Sequence, residues 1–112
     1  MKDLKYTGKL YLEINGERVF GPGRLELLER IQASGSIRQA ALQMKMSYRR
    51  AWEFIDHMNT HLGEAVVIAE RGGRGGGQAI VTPKGLNAIR EFKAFHQKFR
   101  EFLQEHSAQI NI

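Results

Sequence analysis

Hydrophobic and polar residues alternate from Gly8 to Ile14, with Leu10, Leu12 and Ile14 on one side of an extended chain and Lys9, Tyr11 and Glu13 on the other. That two-residue period predicts a half-buried strand. Asn15-Gly16 ends it with a turn pair, so a two-residue hairpin into Glu17-Arg18-Val19-Phe20 is expected, broken in turn by Gly21-Pro22-Gly23. From Arg24 the period changes. Leu25, Leu28 and Ile31 recur at helical spacing until Ser34-Gly35, where glycine takes the position just past a helix end. Ser36 suits the N-cap of a second helix, Ile37 to Lys45, in which Ala40, Ala41 and Met44 allow close packing. Met46-Ser47 interrupts it, and Ser47 caps a third helix, Tyr48 to Leu62, terminated by Gly63. Ala65-Val66-Val67-Ile68-Ala69 pairs naturally with Ala79-Ile80-Val81 as a β-hairpin. Thr82 as cap and Pro83 as first residue open a last helix running to about Glu105, with Ser107 to Ile112 as a tail.

Three helices with short breaks and then a hairpin follow the order of a winged helix-turn-helix, an α+β fold that is here mainly helical, with an N-terminal strand and a long C-terminal helix. At 112 residues the chain fits a single domain over 1–112. The third helix tests the reading. At 100° per residue Ala51, Ile55, Met58 and Leu62 share one stripe, with Trp52 and Phe54 at its margins, while Arg49, Arg50, Glu53, His57 and Thr60 lie opposite. One side is buried, and the other carries two adjacent cations at the helix start, where a recognition helix meets base edges in the major groove. Arginine offers a planar fork for guanine O6 and N7 or for phosphate, so Arg49 and Arg50 are the base-reading candidates. Glu53 either accepts from cytosine or holds one of these arginines at helical spacing. Ser47 and Tyr48 are candidates for phosphate contact or for capping and packing, and Ser34, Ser36 and Arg38 are phosphate candidates at the turn into the second helix.

The segment Arg71-Gly72-Gly73-Arg74-Gly75-Gly76-Gly77-Gln78 makes the hairpin tip cationic and rich in glycine. Arg71 and Arg74 are placed to reach phosphates or a narrow minor groove, with Gln78 a weaker candidate. Lysine and arginine number 17 against 12 acids, a formal charge of +5, which favours a polyanionic partner. Double-stranded DNA is the expected partner, through a pseudo-palindromic operator; an RNA or protein-interaction module is the alternative. Cysteine is absent, so disulfides and thiolate metal sites are excluded. No apolar leader and no membrane-length apolar run occur, so a soluble cytoplasmic protein without membrane association is expected.

Catalysis finds no support. His57 and His61 are spaced i, i+4, but the residues between them, Met58-Asn59-Thr60, lack the glutamate of a zinc hydrolase motif. They read as solvated or phosphate-facing, and no metal or other cofactor is expected. Gly77 is followed by Gln78-Ala79 and feeds a strand, so the glycine tract is not a P-loop.

Ser34-Gly35-Ser36-Ile37-Arg38-Gln39-Ala40-Ala41, Met46-Ser47-Tyr48-Arg49-Arg50-Ala51-Trp52-Glu53, Met58-Asn59 and the stretch Arg71 to Thr82 closely resemble the N-terminal DNA-binding domain of the ModE family of molybdate-responsive transcriptional regulators. The likeness runs from about Leu25 to Leu86, and a looser one links the chain to LysR-type winged helices. The resemblance implies a winged helix-turn-helix dimerised by its last helix, with DNA contact at Ser47 to Arg50 and at the wing around Arg71 to Gln78. The best-known members continue into molybdate-binding β-barrel domains for which these 112 residues leave no room. The chain is therefore expected to act without its own molybdate site, alone or with a separate effector-sensing protein. On the last helix Leu86, Ile89 and Phe92 lie toward one side and Phe95, Phe99 and Phe102 drift toward another, more apolar surface than one small domain covers. Phe92, Phe95, Phe99 and Phe102 are accordingly expected in a homodimer interface.

Overall fold

The computed structural model describes residues 3–70 and 78–112. Its elements run β1 (Leu12–Ile14), β2 (Glu17–Phe20), α1 (Pro22–Ser34), α2 (Ile37–Gln43), α3 (Tyr48–His61), β3 (Val67–Ala69), β4 (Ala79–Val81) and α4 (Pro83–Ser107). The strands form two separate antiparallel pairs, β1 with β2 and β3 with β4.

The first hairpin turns at Asn15 (φ 52°) and Gly16 (φ 83°), the two successive positive angles that the Asn-Gly pair supplies. Its first strand is shorter than the alternation from Gly8 predicts. The register shifts between Leu12 and Glu13, so that Leu12 faces Phe20 while Glu13 faces Arg18. A bulge of this kind breaks the two-residue period. Leu12 is exposed, whereas Leu10 and Ile14 are half-buried.

Gly21-Pro22-Gly23 does not lie between elements, as the sequence suggested. Pro22 is the first residue of α1, where its fixed φ fits and its missing N–H costs nothing. Gly35 closes α1 in the left-handed region (φ 68°), its N–H donating to the Ile31 carbonyl at 2.7 Å. α2 ends two residues before the expected Lys45. Met46 N–H donates to the Ala41 carbonyl (3.0 Å) and Lys45 N–H to Leu42 (3.1 Å), the paired bonds of a Schellman closure, with Lys45 at φ 57° where glycine is usual. Ser47 then caps α3 by accepting the Arg50 N–H at 3.0 Å.

One core joins every layer. α1 contributes Leu27, Leu28 and Ile31, α2 Ile37, Ala40 and Ala41, and α3 Ala51, Ile55 and Met58. Val19 and Phe20 of β2, the β3–β4 hairpin and Ile89 and Phe92 of α4 complete it. The hairpin is fastened twice. Ala79 N–H donates to the Gly35 carbonyl (2.9 Å), tying β4 to the α1–α2 turn, and Thr82 N–H donates to Val66 (3.0 Å). Gly85, in the first turn of α4, lies so close to the Val66 carbonyl that a Cβ there would overlap it.

α4 is 25 residues, about 37 Å at the usual rise, in a molecule 59 Å along its longest axis. It runs through Ser107, beyond the expected end near Glu105, because the chain's first residues brace it: Tyr6 N–H donates to Ser107 Oγ at 2.8 Å and Gly8 packs against the Phe99 ring. Phe92, expected in the dimer interface, is instead 8% exposed and meets Phe20 edge-on, ring centroids 5.2 Å apart. It belongs to the chain's own core. Leu86, assigned to the same side as Ile89, is partly exposed.

Lys45→Gly should stabilise the protein, because a left-handed non-glycine residue costs about 1–2 kcal/mol and glycine returns about 0.5–1 of that as unfolded-state entropy. A net gain of about 0.5–1 kcal/mol is expected as a higher urea midpoint with unchanged slope.

Candidate nucleic-acid interface

α3 presents its N-terminal turn outward while its apolar stripe faces inward as expected, with Ala51, Ile55 and Met58 fully buried. Tyr48, Arg49, Arg50 and Glu53 are all exposed at this end. The Arg49 side chain is 90% exposed, and its Nε lies 3.2 Å from Glu53 Oε1 across one helical turn. The holding role anticipated for Glu53 is therefore geometrically in place, with Arg49 as its partner. Arg50 lies over the Phe54 ring at 5.0 Å, and Arg24 of α1 sits over the same ring at 4.9 Å. The guanidinium of Arg38, from α2, covers Tyr48 at 4.6 Å, and Tyr48 packs edge-on against Trp52. Aromatic faces thus hold Arg38 and Arg50 in place, and they oppose a cation with electron-rich surface without neutralising its charge.

The serines do local work first. Ser36 caps α2 by accepting the Gln39 N–H at 3.1 Å, and Ser47 does the same for α3. Ser34 Oγ donates to the Arg30 carbonyl (2.8 Å) and accepts from Ser36 N–H (3.2 Å), closing the α1–α2 turn. Gln78 is exposed, and its carbonyl accepts from Glu70 N–H at 2.9 Å, one pair beyond the strands of the second hairpin. Arg71 and Arg74 lie outside the described residues.

His57 departs from its expected place. Helical periodicity put it on the polar side with Arg49 and Arg50, facing solvent or phosphate. Its Nδ1 accepts from Arg24 Nη1 at 2.8 Å and its Nε2 lies 2.7 Å from Glu17 Oε1. His61 Nε2 lies 3.1 Å from the other oxygen of the same carboxylate. The wheel missed this because the acid comes from β2, 40 residues earlier. Hydrogen bonding to His57, and then the charge of His61, hold the Glu17 carboxyl below its ordinary range. Burial lowers the Arg24 guanidinium from its usual value, partly offset by the attraction of Glu17, and Arg24 also donates to the Val19 carbonyl at 2.7 Å. Arg24 carries no periodic signal beyond opening a helix; its role appears only when β2, α1 and α3 meet.

Asn59 is the second residue that spacing did not single out. Its side-chain oxygen accepts the N–H of fully buried Val66 at 2.7 Å, fixing the entry to β3 against α3. An amide followed shortly by Gly63 and a β-branched run is a usable signal, since the first residues of a packed strand need acceptors for their buried N–H groups.

A helix pair, α2 and α3, whose second member exposes a cationic start, followed by a hairpin fastened to the turn that precedes the pair, defines a winged helix-turn-helix. Comparison with solved structures agrees at the level of fold. The oxidized form of Corynebacterium glutamicum OxyR superimposes with a TM-score of 0.53 over 75% of this chain and 26% of that one, at 23% identity. No family model matches the chain. Curated relatives carry the ModE name. The molybdenum transport protein ModE of Azotobacter vinelandii is 30% identical over 111 residues, 99% of this chain and 41% of the relative. The transcriptional regulator ModE of Yersinia pestis is 43% identical over 75 residues, 66% of this chain and 28% of the relative. The DNA-binding transcriptional dual regulator ModE of Escherichia coli K12 is 35% identical over 88 residues, 79% and 34% respectively. The chain is a homologue of the ModE regulators and spans about two fifths or less of the length of these relatives.

Asn59→Ala should cost about 1–3 kcal/mol, because it leaves the Val66 N–H buried without an acceptor. Asn59→Asp, which keeps an oxygen there, should recover part of the loss at neutral pH in the same denaturant titration.

Proposed function

We propose that the chain is a sequence-specific double-stranded DNA-binding module of a transcriptional regulator. The observation that carries this reading is the layout of α3: one capped helix with a buried stripe and an exposed start bearing Arg49 and Arg50, joined there by Arg38 from the preceding helix. Cations gathered at one exposed helix start suit a polyanion, and a helix start placed this way suits the major groove. The relatives named as transcriptional regulators, one of them as DNA-binding, support the same reading. Arg49 and Arg50 read bases; Ser36, Ser47, Tyr48 and Arg38 position the backbone, Ser34 shaping the turn that presents them. Glu53 holds Arg49 until a base replaces it. Arg71, Arg74 and Gln78 form a wing that clamps phosphate or the minor groove. Among the described residues no helix is long and apolar enough to cross a membrane.

The module works as a homodimer on a two-fold operator. Phe95 and Phe102 of α4 are 60% and 57% exposed, and Phe99 is half-buried beside the N-terminal segment. Large aromatic rings in water at helical spacing favour a covering partner.

Arg49→Ala or Arg50→Ala should reduce binding to operator more than to random duplex, by about 1–3 kcal/mol for a lost bidentate base contact. Arg74→Ala should weaken both about equally and lower the magnitude of the log–log salt slope by about 0.9, one neutralised phosphate. Titrations of each variant against both duplexes over a range of salt decide between reading and clamping. If all three bind as the parent does, the DNA assignment fails.

Sedimentation at micromolar concentration should give a dimer, and Phe102→Asp should shift it to monomer while leaving the helical circular dichroism intact. A parent chain that sediments as monomer removes the interface and the two-fold operator together.

A further inference from the structure

Glu17, His57 and His61 bring their three ligand atoms within 4.8 Å of one another, a grouping found once among the described residues. The histidines are one turn apart on α3, their ring centroids separated by 4.1 Å, and the Glu17 carboxylate spans both, one oxygen to each Nε2. The imidazoles are about three-quarters covered, and the carboxylate is open to solvent.

The proton inventory makes His61 the informative member. Its Nδ1 lies 2.9 Å from the His57 backbone carbonyl, which can only accept, so Nδ1 carries the proton and donates. In the neutral ring Nε2 then presents a lone pair, and it faces a carboxylate oxygen at 3.1 Å. Two acceptors confront each other unless a positive charge sits between them. The backbone bond at Nδ1 is also the arrangement that orients a metal-ligating histidine and fixes its tautomer.

We propose that Glu17, His57 and His61 form a binding site for a divalent first-row transition metal ion. Two imidazole nitrogens and one carboxylate oxygen suit zinc, cobalt, nickel or copper and disfavour magnesium or calcium, which demand more oxygen ligands. Bond lengths near 2.0–2.1 Å around a tetrahedral ion need ligand atoms about 3.3 Å apart, so the carboxylate withdraws by a few tenths of an ångström from each ring. Water completes the coordination on the open side. His57 must exchange one bond to join. Its Nδ1 now accepts from Arg24 and its Nε2 carries the proton toward Glu17; with a metal on Nε2 the proton resides on Nδ1 instead, so Arg24 gives up His57 and keeps the Val19 carbonyl. Arg24 shares the Phe54 ring with Arg50. Occupancy of the site therefore reaches Arg50 at the exposed start of α3, through the Phe54 ring that it shares with Arg24.

Cobalt(II) and zinc titrated into the purified 112-residue chain test the site. The expected result is one saturable equivalent per chain, with the visible absorption of tetrahedral or five-coordinate cobalt, bleached when zinc displaces it. Glu17→Gln and His61→Ala should each weaken binding at least about tenfold, the lower end of what even outer-shell partners contribute. His106→Ala, on the far end of α4, should leave it unchanged. Glu17 is exposed, so its glutamine variant keeps the fold and decides the matter should His61→Ala fail to fold. Absence of saturable cobalt uptake by the parent chain, or uptake that both variants retain, shows the cluster to be a hydrogen-bonded clasp alone.

Discussion

The Thr82 hydroxyl joins the parts of the molecule that would otherwise separate. It donates to the Ala65 carbonyl at 2.6 Å and accepts the Gly85 N–H at 3.1 Å, while the Thr82 backbone N–H donates to Val66. One buried residue thereby ends the hairpin, caps α4 and holds both to the chain leaving α3. Because a buried hydroxyl must keep its partners or forfeit their free energy, these segments are held in one relative position. Gly85 completes the junction by allowing α4 to approach Val66 to backbone contact. From this point α4 departs as a long arm, and the β3–β4 hairpin is held against the α1–α2 turn.

α3 serves two ends. Its first turn is exposed and cationic, with Arg49 paired to Glu53 on its own helix and Arg50 resting on Phe54. Its last turns are bound to the rest of the domain: His57 and His61 to Glu17, Asn59 to the hairpin, Met58 in the core. The interactions at the C-terminal half fix α3 to the rest of the domain, and so hold the exposed first turn on a rigid element. Phe54 links the two ends, since Arg24 touches the ring from α1 and also donates to His57.

Local chemistry was readable along the chain wherever a single residue type answers a local need. Asn15-Gly16, Gly35, Ser36, Ser47, Thr82 and Pro83 all stand where the turn or cap demanded. The stripe Ala51, Ile55, Met58 was equally plain, because a 3.6-residue period persists through α3. What periodicity could not carry was partnership at long range. A bulge at Leu12 undid the alternation of β1, the packing of Phe92 against Phe20 took one aromatic out of the exposed set, and His57 turned toward an acid on another element. The bulge depends on how the neighbouring strand pairs, and the other two on residues tens of positions away, to none of which a two-residue or a 3.6-residue period refers. Lys45 is a different case: its left-handed backbone satisfies the orphan carbonyls of α2 without the glycine that would have marked the spot.

The brace between Tyr6 and Ser107 closes a loop of about a hundred residues with a single hydrogen bond and the packing of Gly8 on Phe99. Contacts so distant in sequence form late in folding, after the helices and the second hairpin have assembled from near neighbours. By the same reasoning they open first. In a single unpaired chain the far half of α4 has no buried residue beyond Phe92, so once the N-terminal segment lifts away, only its own backbone hydrogen bonds hold it straight. The molecule thus has a graded stability, highest at the junction of α3, hairpin and α4 and lowest toward Ser107, and amide exchange along α4 would report that gradient residue by residue.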